Sequence, residues 1–439
     1  MMKLFKLNKI KEFAKKNRNL KIFIIISAAI LGIKFYWAII ILKNFNFENP
    51  DSEGYLRLAR NISSSYLEKG TDFTELALLR TPGYPTFIAL FNSNKTIIIA
   101  TQIVIHILIS FLTLLVLRRI LNISSFKVGI LVFLLIQLET SMLVYSYRIL
   151  TETLFTFLLL ILLYYIQLTI KSNKLTIKFF SFSFLLLFLL LMVRPIGFAL
   201  SIIFLVLIVF AKNKKIFIVQ LVLILGVTAA YSSYNYVSKN VFTSSTSQNF
   251  YLFVYQGAAS KALSNKDNFE IIAQEEALLR DKILGPQATY SQTDSYNRNR
   301  ALELIFENKT SFLKLNMIGI FKILYSPNRI ELSQLLSDNY RFKFSNRVFD
   351  LILAISILIT FAISSTGIIG AVLYFKRNDN FKLLSTTLFI FVALSAGANA
   401  YGRFRVPIAP ILVIYSALII YDLTKQLKKY QTKNRFPQT

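Results

Sequence analysis

A chain of 439 residues that is 55% hydrophobic and only 16% charged, with 40 Phe, has the balance of a polytopic membrane protein and excludes a single large soluble core. Its net charge of +28 does not mark a nucleic-acid partner, because Lys and Arg sit in short clusters between apolar runs, the pattern that the positive-inside rule produces. The chain has no Cys and one His, which removes disulfide staples and any tetrahedral zinc site of N and S ligands.

In chain order, residues 1–21 form a basic tail expected in the cytoplasm. The first apolar run, 19–42, has no small-residue cleavage site near its end and reads as an uncleaved anchor. Further runs of spanning length lie near 96–117, 127–145, 150–170, 178–194, 196–211, 215–234, 347–375, 381–398 and 404–424. With the first, these predict an α-helical polytopic membrane protein of about ten transmembrane helices. An even number places both basic tails, 1–21 and 425–439, in the cytoplasm. The clusters Arg118–Lys127, Lys171–Lys178, Lys212–Lys215 and Lys376–Lys382 then fall on that same side. The organisation expected is a membrane module over 22–234 that carries a first outer loop over 43–95, an outer segment over 235–346, and C-terminal membrane helices over 347–424. The outer segment alternates helical patterns with Gly, Pro and Ser breaks and is expected to be mainly helical.

The first outer loop is the most informative stretch. Pro50 ends any preceding helix, and Asp51 or Ser52 can cap a new one. Tyr55, Leu58, Ala59, Ile62 and Tyr66 recur at helical spacing, predicting an amphipathic helix on the membrane surface with Asp51 at its membrane-proximal end. Acidic residues elsewhere are few. Glu139 and Glu152 stand near the outer ends of the third and fourth predicted helices, where carboxylates beside hydrocarbon tend to mark function. Glu139 can pair with Arg148. Four arginines are expected at the same outer face: Arg80, Arg194, Arg403 and Arg405. Their planar forks suit phosphate. His106, inside an apolar run, reads as a packed or helix-bonding histidine.

Asp51-x-x-x-Tyr55, the turn Arg80-Thr81-Pro82-Gly83-Tyr84-Pro85, the segment Tyr147 to Glu152, Arg194-Pro195-Ile196-Gly197 and Gly402-Arg403-Phe404-Arg405-Val406-Pro407 together resemble GT-C glycosyltransferases. The bacterial branch resembled is the one related to protein O-mannosyltransferases and lipid A aminoarabinose transferases. The resemblance implies an inverting transfer of a sugar from a polyprenyl-monophosphate carrier to a hydroxyl of a glycolipid, glycan or protein, at the outer face of a bacterial plasma membrane. On that reading Asp51 is the general base, and Glu152 positions the acceptor or helps a cation. Arg80, Arg194, Arg403 and Arg405, with Tyr84 and Tyr401, bind the donor phosphate, and Tyr55, Glu139 and Arg148 support them. No cofactor is implied with certainty; a divalent cation held by oxygens of Asp51 and Glu152 stays open. Two alternatives also stay open: an O-antigen-type polymerase or ligase that uses pyrophosphate-linked glycans, and a non-enzymatic lipid or glycan transporter. A transporter predicts ionisable residues deep in its helices, and here they concentrate at the ends.

Overall fold

The computed structural model describes residues 21–22, 24–39, 50–63, 77–120, 125–336 and 346–435. The basic N-terminal tail and Tyr66 lie outside the described residues. Those described are helices, turns and connecting segments, with no strand among them.

Each expected apolar run carries a helix. Four are long and apolar enough to cross a membrane: Lys95–Arg118, Glu152–Ser172, Lys214–Lys239 and Arg347–Tyr374. The apolar helices Ile24–Ile39, Phe126–Leu138, Ile177–Val193 and Pro195–Phe210 are shorter. Two of the runs are interrupted for visible reasons. The run near 127–145 breaks at Glu139, whose extended backbone ends Phe126–Leu138 and whose side chain accepts from Met142 N at 2.7 Å to cap a separate helix, Thr140–Tyr145. The run near 196–211 opens on a 3₁₀ turn, Pro195–Phe198, because proline's fixed φ and missing N–H suit a helix start and nothing later.

One apolar core runs through the helices, yet Arg347–Tyr374 turns Leu351, Leu358 and Phe361 outward. A band of that kind is stable against hydrocarbon and not against water. Two groups of charged residues stand at helix ends. In one, Asp379 accepts from the backbone N–H groups of Lys212 (3.0 Å) and Asn213 (2.9 Å) among the basic turns. In the other, Asp51, Arg80, Glu152, Arg194 and Arg403 meet.

Between Lys214–Lys239 and Asn346–Tyr374 lie six helices, Ser247–Tyr251, Ala259–Asn265, Phe269–Leu284, Tyr290–Glu307, Lys309–Tyr325 and Arg329–Leu336. The first two are joined by a π-helical stretch, Leu252–Ala258. Buried Glu276 holds this region together by accepting from Lys261 at 2.8 Å and from Arg300 at 2.8 and 3.0 Å.

Two ionisable residues, Lys34 and His106, do lie deep in apolar helices. Lys34, 4% exposed, places its Nζ 2.7 Å from Nδ1 of His106. His106 Nε2 in turn lies 3.2 Å from the Ile136 carbonyl, the arrangement of an Nε2–H donor whose Nδ1 accepts from the ammonium. His106 therefore bonds across helices, and Lys34 departs from the expected confinement of charge to helix ends.

Candidate functional site

Asp51 lies in the first turn of Pro50–Ser63. Pro50 gives that turn its fixed φ, and the helix dipole favours an anion there. The face turned inward is Ser52, Leu56, Leu58 and Ala59, whereas Ile62 is 47% exposed; the apolar stripe is thus rotated from the expected one, with Leu56 taking the place given to Ile62. Tyr55 remains half-buried at the edge of this face.

Arg80 reaches Asp51 by crossing over Gly54. A Cβ at Gly54 would meet Arg80 Nε at 2.8 Å, so the absence of a side chain there opens the path. Arg80 Nη2 then donates to Asp51 Oδ1 at 2.9 Å, and its guanidinium carbon lies 4.4 Å from the centre of the Tyr55 ring. The turn after Arg80 is pressed against the end of Ile177–Val193: a Cβ at Gly83 would meet the Met192 carbonyl group at 2.6 Å. Arg194 is the next residue to leave the Ile177–Val193 helix, in extended backbone (φ −150°, ψ 132°).

Arg194 Nη1 lies 3.1 Å from Glu152 Oε1, with its guanidinium between the rings of Phe155 and Phe404. Arg403, carried by the 3₁₀ turn Gly402–Arg405, joins the two carboxylates: Nη1 donates to Asp51 Oδ2 at 2.7 Å and Nε donates to Glu152 Oε1. Burial on its own would raise the Asp51 carboxyl, but the charges of Arg403 and Arg80 outweigh it and hold Asp51 at about 2, below its ordinary 3.8.

These groups border a cavity of about 610 Å³. Asp51, Arg80, Arg194 and Arg403 form its charged floor, Ile196, Phe198, Ile202 and Leu394 an apolar side, and Tyr251, Tyr255 and Tyr401 an aromatic one. Three guanidiniums against Asp51 and Glu152 leave one positive charge in excess. An anion with an apolar body is the ligand that such a site accommodates.

Several expected site residues lie elsewhere. Glu152 is 0% exposed and does not border the cavity, so it cannot position an acceptor by contact; it holds Arg194 and Arg403 from behind. Tyr84 is buried, donating to Gln102 Oε1 at 2.7 Å and meeting the Tyr55 ring edge to face at 5.0 Å. It supports Tyr55 and not a ligand. Arg405 is also 0% exposed. Its Nε donates to Glu139 Oε1 at 2.7 Å, and Nη1 donates to the carbonyls of Ile323 (2.8 Å), Leu324 (3.2 Å) and Ser326 (3.0 Å). A cation at the C-terminal carbonyls of Lys309–Tyr325 and an anion capping Thr140–Tyr145 each sit where the helix dipoles favour them. Arg405 is consequently a staple between helices, and Glu139 pairs with it in place of Arg148. Arg148 donates to Gln334.

The Arg403 guanidinium lies between the oxygens of Asp51 and Glu152 that a divalent cation would use. Among the described residues no group of three or more His, Asp or Glu comes together to hold a metal ion.

Of the aromatic side, sequence reading found Tyr401 and missed Tyr251 and Tyr255. Tyr251 and Tyr255 stand four apart at helical spacing, but in a stretch that resembles nothing else.

No protein-family model and no curated protein matches this chain. Among solved structures it is similar to the oligosaccharyltransferase AglB of Archaeoglobus fulgidus in complex with an inhibitory peptide and a dolichol-phosphate. The identity there is 14%, over 94% of this chain and 52% of that one, with a TM-score of 0.48. It is similar also to the Archaeoglobus fulgidus oligosaccharyltransferase in its apo form, at 14% identity over 93% of this chain and 52% of that one, with a TM-score of 0.49. The same enzyme tethered to an acceptor peptide with an NVT sequon is 15% identical over 92% and 50%, also with a TM-score of 0.49. This chain spans about half the length of those chains.

Proposed function

We propose that this protein is an inverting, GT-C-like glycosyltransferase that moves a sugar from a polyprenyl-monophosphate carrier to an acceptor hydroxyl of a glycolipid, glycan or protein. In this reading about ten apolar helices span a bacterial plasma membrane, and the site lies on its outer face, with the basic turns on the other. The observation that carries the reading is the cavity in which three guanidiniums and one reachable carboxylate meet beside an apolar wall. The single excess positive charge matches the single negative charge of a sugar phosphodiester, which favours a monophosphate donor over a pyrophosphate one.

The chemistry follows from the pairing. The acceptor oxygen attacks C1 of the sugar, its proton passes to Asp51, and the C1–O bond breaks with its electrons leaving on the carrier phosphate. Arg80, Arg194 and Arg403 stabilise the charge that develops there. In the resting site Asp51 is a weak base, because two of those arginines hold it. Donor phosphate competes for the same N–H groups, and as Arg80 and Arg403 turn to it Asp51 loses the partners that depress it and gains basicity. Donor binding therefore readies the base.

The test is transfer by purified protein in lipid, with labelled polyprenyl-monophosphate sugars and membrane extract as acceptor. Label leaving the carrier with wild type and not with Asp51→Asn is the expected result. Consumption of pyrophosphate-linked glycans alone would replace the reading with that of a polymerase or ligase.

A further inference from the structure

The cavity is also walled by an element outside the motifs that carry the resemblance. The Tyr251 and Tyr255 rings stack at 5.3 Å with an interplanar angle of 28°, and Tyr255 packs on Phe269 at 5.9 Å. Both rings border the cavity. Tyr255 lies in the π-helical stretch Leu252–Ala258, a backbone form that recurs at functional sites, and Tyr251 ends the helix Ser247–Tyr251 just before it.

That stretch is fixed to the loop leading into Arg403. Gln256 Nε2 donates to the Ala396 carbonyl at 2.7 Å, Ala398 N donates to the Tyr255 carbonyl at 3.2 Å, and Asn316 Nδ2 donates to Gln256 Oε1 at 3.1 Å. The wall is therefore hydrogen-bonded to the loop that leads into Arg403. The charge of Asp51 reaches both phenols and, after burial, is the next influence that raises them. Gln248 and Asn399 border the same cavity, and their side chains make no hydrogen bond to another described residue.

We propose that Tyr251 and Tyr255 form the wall that holds the transferred sugar of the donor, with Gln248 and Asn399 as the groups that read its hydroxyls. The inference rests on the glycosyl transfer proposed above. A sugar ring has two faces of C–H bonds and a rim of hydroxyls. It needs a flat, polarisable surface on one side and unpaired amides or phenols at the edge. The arginine floor supplies neither; the tyrosine wall and its two amides supply both. A lipid phosphate held on the floor would carry its sugar up against this wall, beside Asp51.

The experiment measures binding by the full chain in lipid nanodiscs of bare polyprenyl monophosphate and of the same lipid bearing a hexose, a pentose or an N-acetylhexosamine. Wild type is expected to bind at least one glycosylated form about tenfold tighter than the bare lipid. The double variant Tyr251→Ala, Tyr255→Ala should lose that preference while binding the bare lipid within about twofold of wild type, which also shows that it is folded. Tyr255→Phe, which keeps the ring, should retain most of the preference. A double variant that still prefers the glycosylated lipid, or one that weakens both lipids equally, overturns the inference and leaves the lipid-phosphate reading in place. A wild type that binds no polyprenyl phosphate overturns both.

Discussion

Arg403 Nη1 lies 2.7 Å from Asp51 Oδ2, a pairing that joins positions 352 apart in the sequence. Because the same guanidinium donates through Nε to buried Glu152, Arg403 ties the helix Pro50–Ser63 to the helix Glu152–Ser172 and to its own 3₁₀ turn, Gly402–Arg405. Removing it uncouples three parts of the chain and takes a cation from the cavity. Arg403→Ala is expected to lower donor affinity by at least about tenfold, measured with polyprenyl-monophosphate sugar in nanodiscs. An unchanged affinity would show that the donor phosphate does not rest on Arg403.

The depression of Asp51 sets the pH behaviour of the protein before donor binds. Its folded value of about 2 lies below the ordinary 3.8. The stability that it contributes is therefore complete above about pH 4 and lost as pH falls from there toward 2. No acid limb from Asp51 should appear in kcat/KM between about pH 5 and 8. A limb centred near pH 5 would mean that the arginines do not hold Asp51 before donor binds.

Gly54→Ala tests the path of Arg80 without removing any charged group. The added Cβ would stand 2.8 Å from Arg80 Nε, so the guanidinium must shift and its contacts with Asp51 and Tyr55 loosen. The helix itself gains from Ala over Gly, by about 1 kcal/mol in an interior position. The expected outcome is preserved or raised thermal stability with weaker donor binding. Weaker stability with unchanged binding would show that Arg80 does not need this route.

Much of the site could be read from the chain because its residues carry their chemistry in short local patterns. Asp51 follows a proline, Arg194 precedes one, and the apolar helices announce themselves by length and composition. What could not be read is which way neighbouring residues point. Arg403 and Arg405 look equivalent in Gly402-Arg403-Phe404-Arg405, yet on a 3₁₀ turn of about three residues each step rotates by about a third of a circle. Residues two apart therefore face different directions: Arg403 meets Asp51 and Glu152, and Arg405 meets Glu139 and the carbonyls of Ile323, Leu324 and Ser326. Tyr84 is a similar case. Its hydroxyl finds Gln102 on another helix, a partner that nothing near it in sequence identifies. Lys34 was hidden because one Lys in a long apolar run does not change the run's character, and only the fold places it against His106.

The division of labour between the two arginines yields the sharpest contrast. Arg405→Ala leaves the Glu139 carboxylate buried without its cation and strips a donor from three carbonyls. Breaking a buried pair in this way costs about 3–5 kcal/mol, so the variant should unfold at distinctly lower temperature in detergent. Whatever fraction stays folded should bind donor with near wild-type affinity, since Arg405 does not border the cavity. Arg405→Lys should recover only part of the stability, because an ammonium is a point charge and cannot match the fork that reaches Glu139 and the carbonyls together. Arg403→Ala should give the reverse pattern, with affinity lost beyond what stability explains. If both variants lost affinity to the same degree at equal folded fraction, the assignment of Arg405 as a staple would fail and the phosphate site would have to extend to it.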